Sequence, residues 1–384
     1  MGVWLSVFLV SSLLFLINYF IYPLVVIVLA QFKKTPKHNI EDQEFTKTVS
    51  FIVAAYNEEA VIEDKIKNCL EIDYPQDLLE FIIVSDGSDD TTPEIVKKYQ
   101  NKGITSLHEN QRRGKSNALN RAVDVAKGEI VVFSDANNDY AKDSIKQLVA
   151  SFSDAKVGCV TGSKKIYASS DRQSSKGDGL YWKYESKIKL AESTLGSITA
   201  ADGEILALRK DLFEPINPKL INDDAAVTVN ILRKGYRVIY NPDAVAYEEA
   251  SKDLVDDFFV KVRMTTGGFQ TIVTEFLFLL NPFKLYSWAF LTHKVLRWLV
   301  PYFLILIALS NIMLLEYSLM RFLLVGQIVF YLLAFTGWMK RSNTEMPTLL
   351  YIPMYFVVMN IALFWGSIKY FLGNKTVNWR KASR

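Results

Sequence analysis

Val49-Ser50-Phe51-Ile52-Val53-Ala54-Ala55, Phe81-Ile82-Ile83-Val84 and Ile130-Val131-Val132-Phe133 are three short apolar runs within the stretch Val49 to Tyr140. Each is rich in β-branched residues and ends in small or polar ones, as fully buried parallel strands do. Segments of helical length and pattern lie between them, among them Glu59 to Leu70 and Thr92 to Tyr99. Strand, helix, strand in this order predicts a doubly wound, mostly parallel α/β sheet. Ligands bind such sheets at the carboxyl ends of the strands. There stand Asn57 and Glu58 after the first run, Asp86 after the second, and Asp135 with Asn137 after the third. One crevice thus collects carboxylates and amides from three strand ends, the geometry of a nucleotide and metal site. The spacing does not name the nucleotide.

Outward from this stretch the composition changes sharply. Half of the 384 residues are apolar, and they are unevenly placed. Val3 to Phe32 carries no charged residue, and as a helix at ~1.5 Å per residue it would cover ~45 Å, more than a bilayer core. It is too long for a cleaved signal peptide and lacks a basic leader, so it reads as an anchor. Lys33, Lys34 and Lys37 follow it and put its carboxyl end in the cytoplasm. Further spanning candidates are Leu299 to Leu315, Phe322 to Met339 and Leu349 to Leu372. The organisation expected is a membrane helix in 1–35, a soluble α/β domain in 45–250, membrane-interface helices in 251–298, membrane helices in 299–372 and a basic tail in 373–384. One crossing before the domain and three after it put the tail outside, whereas its Arg380, Lys381 and Arg384 favour the cytoplasm; the two readings stay open.

Other signals are bland. A net charge of +3 gives no argument for nucleic acid. Cys69 and Cys159 lie far apart beside apolar neighbours and read as reduced core thiols. Met1-Gly2 with Ser6 fits a myristoylation pattern, and Asn374-Lys375-Thr376 a glycosylation sequon; both are read as chance matches. His38, His108 and His293 are too dispersed in sequence to suggest a metal cluster, and no Gly-x-Ser-x-Gly elbow or Walker loop is present. Ser169 to Gly179 reads as a polar loop, Leu180 to Ser193 as a helix, Gly196 to Ala207 as a strand pair or a turn and a strand. Asp223 to Arg233 reads as a helix, and Tyr236 to Tyr240 and Val245 to Tyr247 as two short strands.

Val53-Ala54-Ala55-Tyr56-Asn57-Glu58, followed by Val84-Ser85-Asp86-Gly87-Ser88-Asp89-Asp90-Thr91, resembles the family-two glycosyltransferase pattern. Arg113-Gly114-Lys115 with Ala118-Leu119-Asn120, then Ser134-Asp135-Ala136-Asn137 and Asn222-Asp223-Asp224, follow in that family's order. The resemblance covers roughly Val49 to Gln270. With the flanking membrane helices it extends to the membrane-bound synthases of cellulose, hyaluronan, chitin and poly-N-acetylglucosamine. It implies a GT-A domain binding a nucleotide sugar through Ala55, Asn57, Glu58, Asp86, Lys115, Asp135 and Arg263. Asp135 and Asn137 occupy the Asp-x-Asp metal motif, which implies Mg2+ or Mn2+; here the second acid is an amide. Asn222-Asp223-Asp224 stands where the family carries Thr-Glu-Asp, so Asp224 is assigned as the base and Asp223 as its support. Asp202-Gly203-Glu204 resembles a segment lining the acceptor site. Processive members carry Gln-x-x-Arg-Trp where this chain reads Val260-Lys261-Val262-Arg263-Met264, keeping only the arginine.

The function expected is an inverting hexosyltransferase at the cytoplasmic face of the cell (inner) membrane. It would move a sugar from a UDP-sugar to a hydroxyl of a growing β-linked polysaccharide. Transfer of one sugar to a lipid-linked acceptor is the alternative within the same chemistry. An inactive scaffold subunit of a polysaccharide export complex is the alternative of another class. Membrane lipid is a partner in every version.

Overall fold

The computed structural model of the protein describes residues 2–33, 40, 44–167, 173–249, 254–341 and 346–373. Lys34, Lys37, His38, the sequon at Asn374 and the basic residues of the tail lie outside them. In chain order the elements are α1 (Gly2–Leu16), α2 (Tyr22–Gln31), β1 (Val49–Ala55), α3 (Ile62–Leu70), β2 (Leu79–Asp86), α4 (Thr92–Lys97), β3 (Ile104–Glu109), α5 (Lys115–Val125), β4 (Ile130–Asp135), β5 (Asn138–Tyr140), α6 (Ser144–Ala150), β6 (Val157–Ile166) and α7 (Gln173–Leu195). They continue with β7 (Leu206–Arg209), α8 (Asp223–Arg233), β8 (Arg237–Glu248), α9 (Leu254–Leu279), α10 (Leu285–Ala289), α11 (Leu296–Met313), α12 (Ser318–Met339) and α13 (Thr348–Phe371).

The strands form one sheet in the order β3-β2-β1-β4-β7-β6-β8-β5. Its first half, β3-β2-β1-β4, is parallel, as the uninterrupted apolar runs predict. Beyond β4 it is mixed: β7 is antiparallel to both β4 and β6, and β5 is antiparallel to β8. Successive β1 residues alternate between two cores. Phe51 and Val53 pack with Ile62, Ile66, Ile145 and Leu148 on one face, and Ile52 packs with Leu119, Ala122, Val131 and Phe133 on the other.

Several sequence readings need correction. The segment read as a loop to Gly179 is helical from Gln173 onward; residues 169–172 lie outside the description. Its carboxyl half is fixed by tertiary bonds that override the poor propensity of Gly177 and Gly179. Tyr184 Oη donates to the Tyr19 carbonyl, and Tyr22 Oη to Glu192. The two short strands expected after α8 are one strand, β8. Its pairing with β6 jumps from Thr161–Tyr240 to Ser163–Val245, and this bulge contains Pro242, which a regular ladder would not accept. Of the two forms expected for Gly196 to Ala207, the structure has the turn and strand, the strand being Leu206–Arg209.

Four helical stretches are long and apolar enough to cross a membrane: Gly2–Gln31, Leu285–Met313, Ser318–Met339 and Thr348–Phe371. The second begins well before Leu299 because its charged residues are paired inside the fold. His293 is buried between Glu192 Oε1 (2.8 Å) and Glu185 Oε2 (3.0 Å), and Arg297 pairs with Glu185. This knot ties α7 to the apolar stretch Leu285–Met313. On the other side α9 packs along α13: Thr266 Oγ1 donates to the Gly366 carbonyl, and a Cβ on Gly366 would meet the Val262 carbonyl at 2.6 Å.

Candidate active site

The loop after β1 turns at Asn57, which has φ of +52°, a conformation asparagine tolerates better than most residues. Its amide and Asp89 exchange two bonds: Nδ2 donates to Asp89 Oδ1 (2.6 Å) and Oδ1 accepts from the Asp89 N–H (3.1 Å). The Glu58 N–H donates to Thr92 Oγ1 (2.8 Å) and the Asn57 N–H to Ser88 Oγ (3.1 Å). The ends of β1 and β2 are therefore one stitched unit, with Ala55 buried at its base.

Asp86 ends β2 and is buried. Its carboxylate accepts from the N–H groups of Arg113 (3.0 Å) and Gly114 (2.6 Å) and from Arg121 Nη2 (3.2 Å). It thus fixes the basic loop that leads into α5. Gly87 allows this closeness, since at φ +69° a Cβ would lie 2.4 Å from the Arg112 nitrogen. Arg112 then turns its guanidinium over the Tyr56 ring, Cζ 3.7 Å from the centroid.

Lys115 opens α5 and reaches two acids from different elements. Its Nζ is 2.6 Å from Asp135 Oδ1 at the end of β4 and 3.6 Å from Asp223 Oδ2 at the start of α8. Burial pulls its pKa down, but Asp135 and Asp223 outweigh burial and the net direction is up. Asp224 is the opposite case. Burial, with Asp223 beside it, raises its carboxyl from 3.8 to about 7; the Ala225 N–H at 2.7 Å and Lys115 only partly oppose this. Arg263 of α9 lies in the field of the same three acids, and its pKa is lowered by burial against their pull. The structure therefore brings together Asp135, Lys115, Asp223, Asp224 and Arg263 from four elements.

The remaining expected residues lie around this group. Gly203 abuts Asp224, where a Cβ would sit 3.2 Å from the Asp224 Cβ. Asp202 takes both oxygens to Lys189 Nζ at 2.7 Å. Glu204 pairs with Lys164 at 3.1 Å. Asn137 points its amide nitrogen at Glu248 Oε1 (2.9 Å), and Glu248 also pairs with Lys164. Asp139 accepts from Tyr167 Oη (2.6 Å). Among the described residues, no three His, Cys, Asp or Glu side chains are arranged to hold a metal by themselves.

Sequence reasoning missed Lys65. It is 1% exposed on α3, and its Nζ donates to the Asn138 carbonyl (2.7 Å) and Asn138 Oδ1 (2.9 Å) directly behind Asp135. Burial lowers its pKa to about 8. The signal was present: Lys65 falls among Ile62, Ile66 and Cys69, a charge at core spacing on an amphipathic helix.

Residues 50–216 match the family model described as glycosyl transferase family 2. The chain carries a family-2 glycosyltransferase domain. Among curated proteins, the chain is similar to a poly-beta-1,6-N-acetyl-D-glucosamine synthase of Staphylococcus aureus (strain COL), at 28% identity over 248 residues, 63% of this chain and 59% of that protein. A synthase of the same name from Staphylococcus epidermidis is 25% identical over 284 residues, 71% of this chain and 68% of its own. The chain thus spans somewhat over half the length of the S. aureus relative. Among solved structures, a mannosyltransferase from Pyrobaculum calidifontis, in complex with GDP-Man and Mn2+, superposes with a TM-score of 0.72 at 24% identity, covering 96% of this chain and 99% of its own. That likeness is one of fold, and it extends from the α/β domain through the long apolar helices.

Proposed function

We propose that the protein is an inverting glycosyltransferase that moves a sugar from a nucleotide sugar, a UDP-sugar by preference, to an acceptor hydroxyl at the cytoplasmic face of a membrane. The observation that carries this reading is Asp224. Its carboxyl is held near pH 7, where a general base works best, and it faces Gly203 of the expected acceptor segment. Asp224 takes the proton from the attacking hydroxyl. Asp223, opposed to Lys115, keeps that carboxyl from ionising too readily. Lys115 and the amides at the start of α5 meet the diphosphate, and Asp86 holds those amides in place. Attack from the face opposite the leaving nucleotide inverts the anomeric centre.

A divalent cation, Mg2+ or Mn2+, fits this donor set in one form. Asp135 offers a single carboxylate, now neutralised by the Lys115 ammonium at 2.6 Å, while Asn137 is engaged with Glu248. Mg2+ is commonly held by one or two carboxylates plus substrate phosphates and water. Such a cation would stabilise the charge that develops on the leaving diphosphate. The name of the fold relative, solved with GDP-Man and Mn2+, supports the same class of site and makes GDP-sugars the competing donors.

The curated relatives support a polysaccharide product. A second reading, addition of one sugar to a lipid-linked acceptor, is favoured by Met264. It stands 44% exposed beside Arg263, where processive members of the resembling group carry an aromatic residue to stack on the acceptor. The test is incubation of the purified protein with a panel of UDP- and GDP-sugars, with and without a lipid acceptor, followed by sizing of the product. A long polymer supports the first version and a single addition the second. No turnover of any donor would leave only a scaffold role.

A further inference from the structure

The two acids of the proposed base sit at the start of α8, and an acid there needs a fixed helix entry to point anywhere reproducibly. Asn222 occupies the N-cap, yet its side chain makes no cap bond to α8. Its Nδ2 donates instead to the Met264 carbonyl of α9 (3.1 Å). One turn further along α9, Gly267 leaves just enough room for that side chain: a Cβ there would lie 2.5 Å from Asn222 Oδ1. A further turn on, Gln270 is 9% exposed and spans the loop before α8. Its Nε2 donates to the Lys219 carbonyl (2.9 Å) and its Oε1 accepts from the Ile221 N–H (3.1 Å). Met264, Gly267 and Gln270 are three residues apart, so they share one helix face. Loop 219–222 is therefore laid along α9 by three consecutive contacts.

We propose that Gln270, together with Gly267, is a positioning element for the transfer reaction: α9, itself seated on the last membrane helix, sets the direction of Asp223 and Asp224. This rests on the reading of Asp224 as the base. It assigns α9 a task beyond presenting Arg263 and lying at the membrane surface. Because α9 is keyed to α13 through Gly366, the reactive carboxyl is registered against the membrane bundle as well as the sheet. Misplacing a catalytic group by about 1 Å costs on the order of 10²-fold in rate.

The test uses the full chain in detergent and four variants. Gln270→Leu keeps the size of the side chain and removes both loop bonds. Gly267→Ala pushes Asn222 away. Gly268→Ala is the control, since a Cβ there would be equally crowded, 2.5 Å from a ring atom of Trp298, but against the membrane helices instead of the loop. Asp224→Asn reports on the base itself. Transfer per folded molecule is measured at saturating donor, UDP affinity by calorimetry, and folding by thermal unfolding. Gln270→Leu and Gly267→Ala are expected to lose tenfold or more in kcat with UDP affinity within about twofold, as Asp86, Lys115 and Asp135 stand on other elements. Gly268→Ala should lower the unfolding temperature while its folded fraction turns over normally. Equal kcat losses in the two glycine variants, or normal kcat in Gln270→Leu, would overturn the proposal. Should Gly267→Ala fail to fold, Gln270→Leu decides alone. Asp224→Asn separates the failures: if it is inactive while Gln270→Leu is normal, only the positioning role falls; if it is fully active, the base assignment falls first.

Discussion

Replacing Asp224 by asparagine should inactivate the protein and stabilise it at the same time. The two effects come from one quantity. In the fold the Asp224 carboxyl is raised from 3.8 to about 7, first by burial and then by Asp223. A raised carboxyl binds its proton more tightly folded than unfolded. Its contribution is therefore neutral below about pH 4, becomes unfavourable as pH climbs through the window from about 4 to 7, and is fully unfavourable above it. Removing that charge can therefore gain at most about 4 kcal/mol at high pH. Asparagine carries no charge at any pH and keeps an oxygen for the Ala225 N–H that Asp224 now holds at 2.7 Å. Asp224→Asn should thus unfold at a higher temperature than the parent at pH 8 and at the same temperature near pH 4. Turnover should fall by roughly 10²–10⁴-fold, the usual contribution of a positioned base, and the parent's own rate should fall about tenfold per unit below pH 7. The assay is donor turnover at fixed UDP-sugar, with thermal unfolding read on the same preparations. A role limited to capping α8 predicts something else, because asparagine caps as well as aspartate does. Turnover within threefold of the parent, or a variant less stable at pH 8, would refute the reasoning.

Three further outcomes follow from the same geometry. Removing the metal with EDTA, or the carboxylate with Asp135→Ala, should abolish transfer in a protein that still unfolds cooperatively; full activity in EDTA would refute a metal at Asp135. Asp86→Ala and Lys115→Ala should each weaken UDP binding by ~1–3 kcal/mol in calorimetry, since one strands the amides of Arg113 and Gly114 and the other removes a phosphate partner; unchanged affinity in both would put the nucleotide elsewhere. Asn137→Asp rebuilds the family's acid, yet it sets a carboxylate against Glu248 at hydrogen-bond distance. It should lower stability by ~1–3 kcal/mol without lowering the metal concentration for half-maximal activity; a clear drop in that concentration would make residue 137 a metal ligand.

The parallel half of the sheet was legible because strands buried on both faces cannot hide: Phe51, Ile52, Ile82 and Val132 have no polar alternative. The strand-end polar residues were legible for the complementary reason, since Asp86 and Asp135 interrupt those runs where the sheet opens. The rest rests on partners distant in sequence. Ile104–Glu109 alternates too weakly to read as a strand, and it forms at the edge against β2. Asn138–Tyr140 is a strand only because β8 returns beside it. The helix α9 runs unbroken through Gly267 and Gly268, a pair that propensity alone would count against it, because Asn222 and Trp298 fill the space beside them.

The same dependence on distant partners explains the neutral residue in the metal motif. Asp135, Asp223 and Asp224 face Lys115 and Arg263, so three acids meet two cations before any substrate arrives. A diphosphate adds further negative charge at this point. A fourth carboxylate at residue 137 would raise the repulsion further, and it would do so beside Glu248, which already shares Lys164 with Glu204. The amide of Asn137 donates to Glu248 instead, so the charge that the motif usually carries is held on β8. From there it is shared, through Lys164, with Glu204 of the segment proposed to line the acceptor site. Under the proposed function this arrangement would leave Asp135 to meet the cation and would keep Asp224 near the edge of ionisation, where it could take the proton of an approaching hydroxyl.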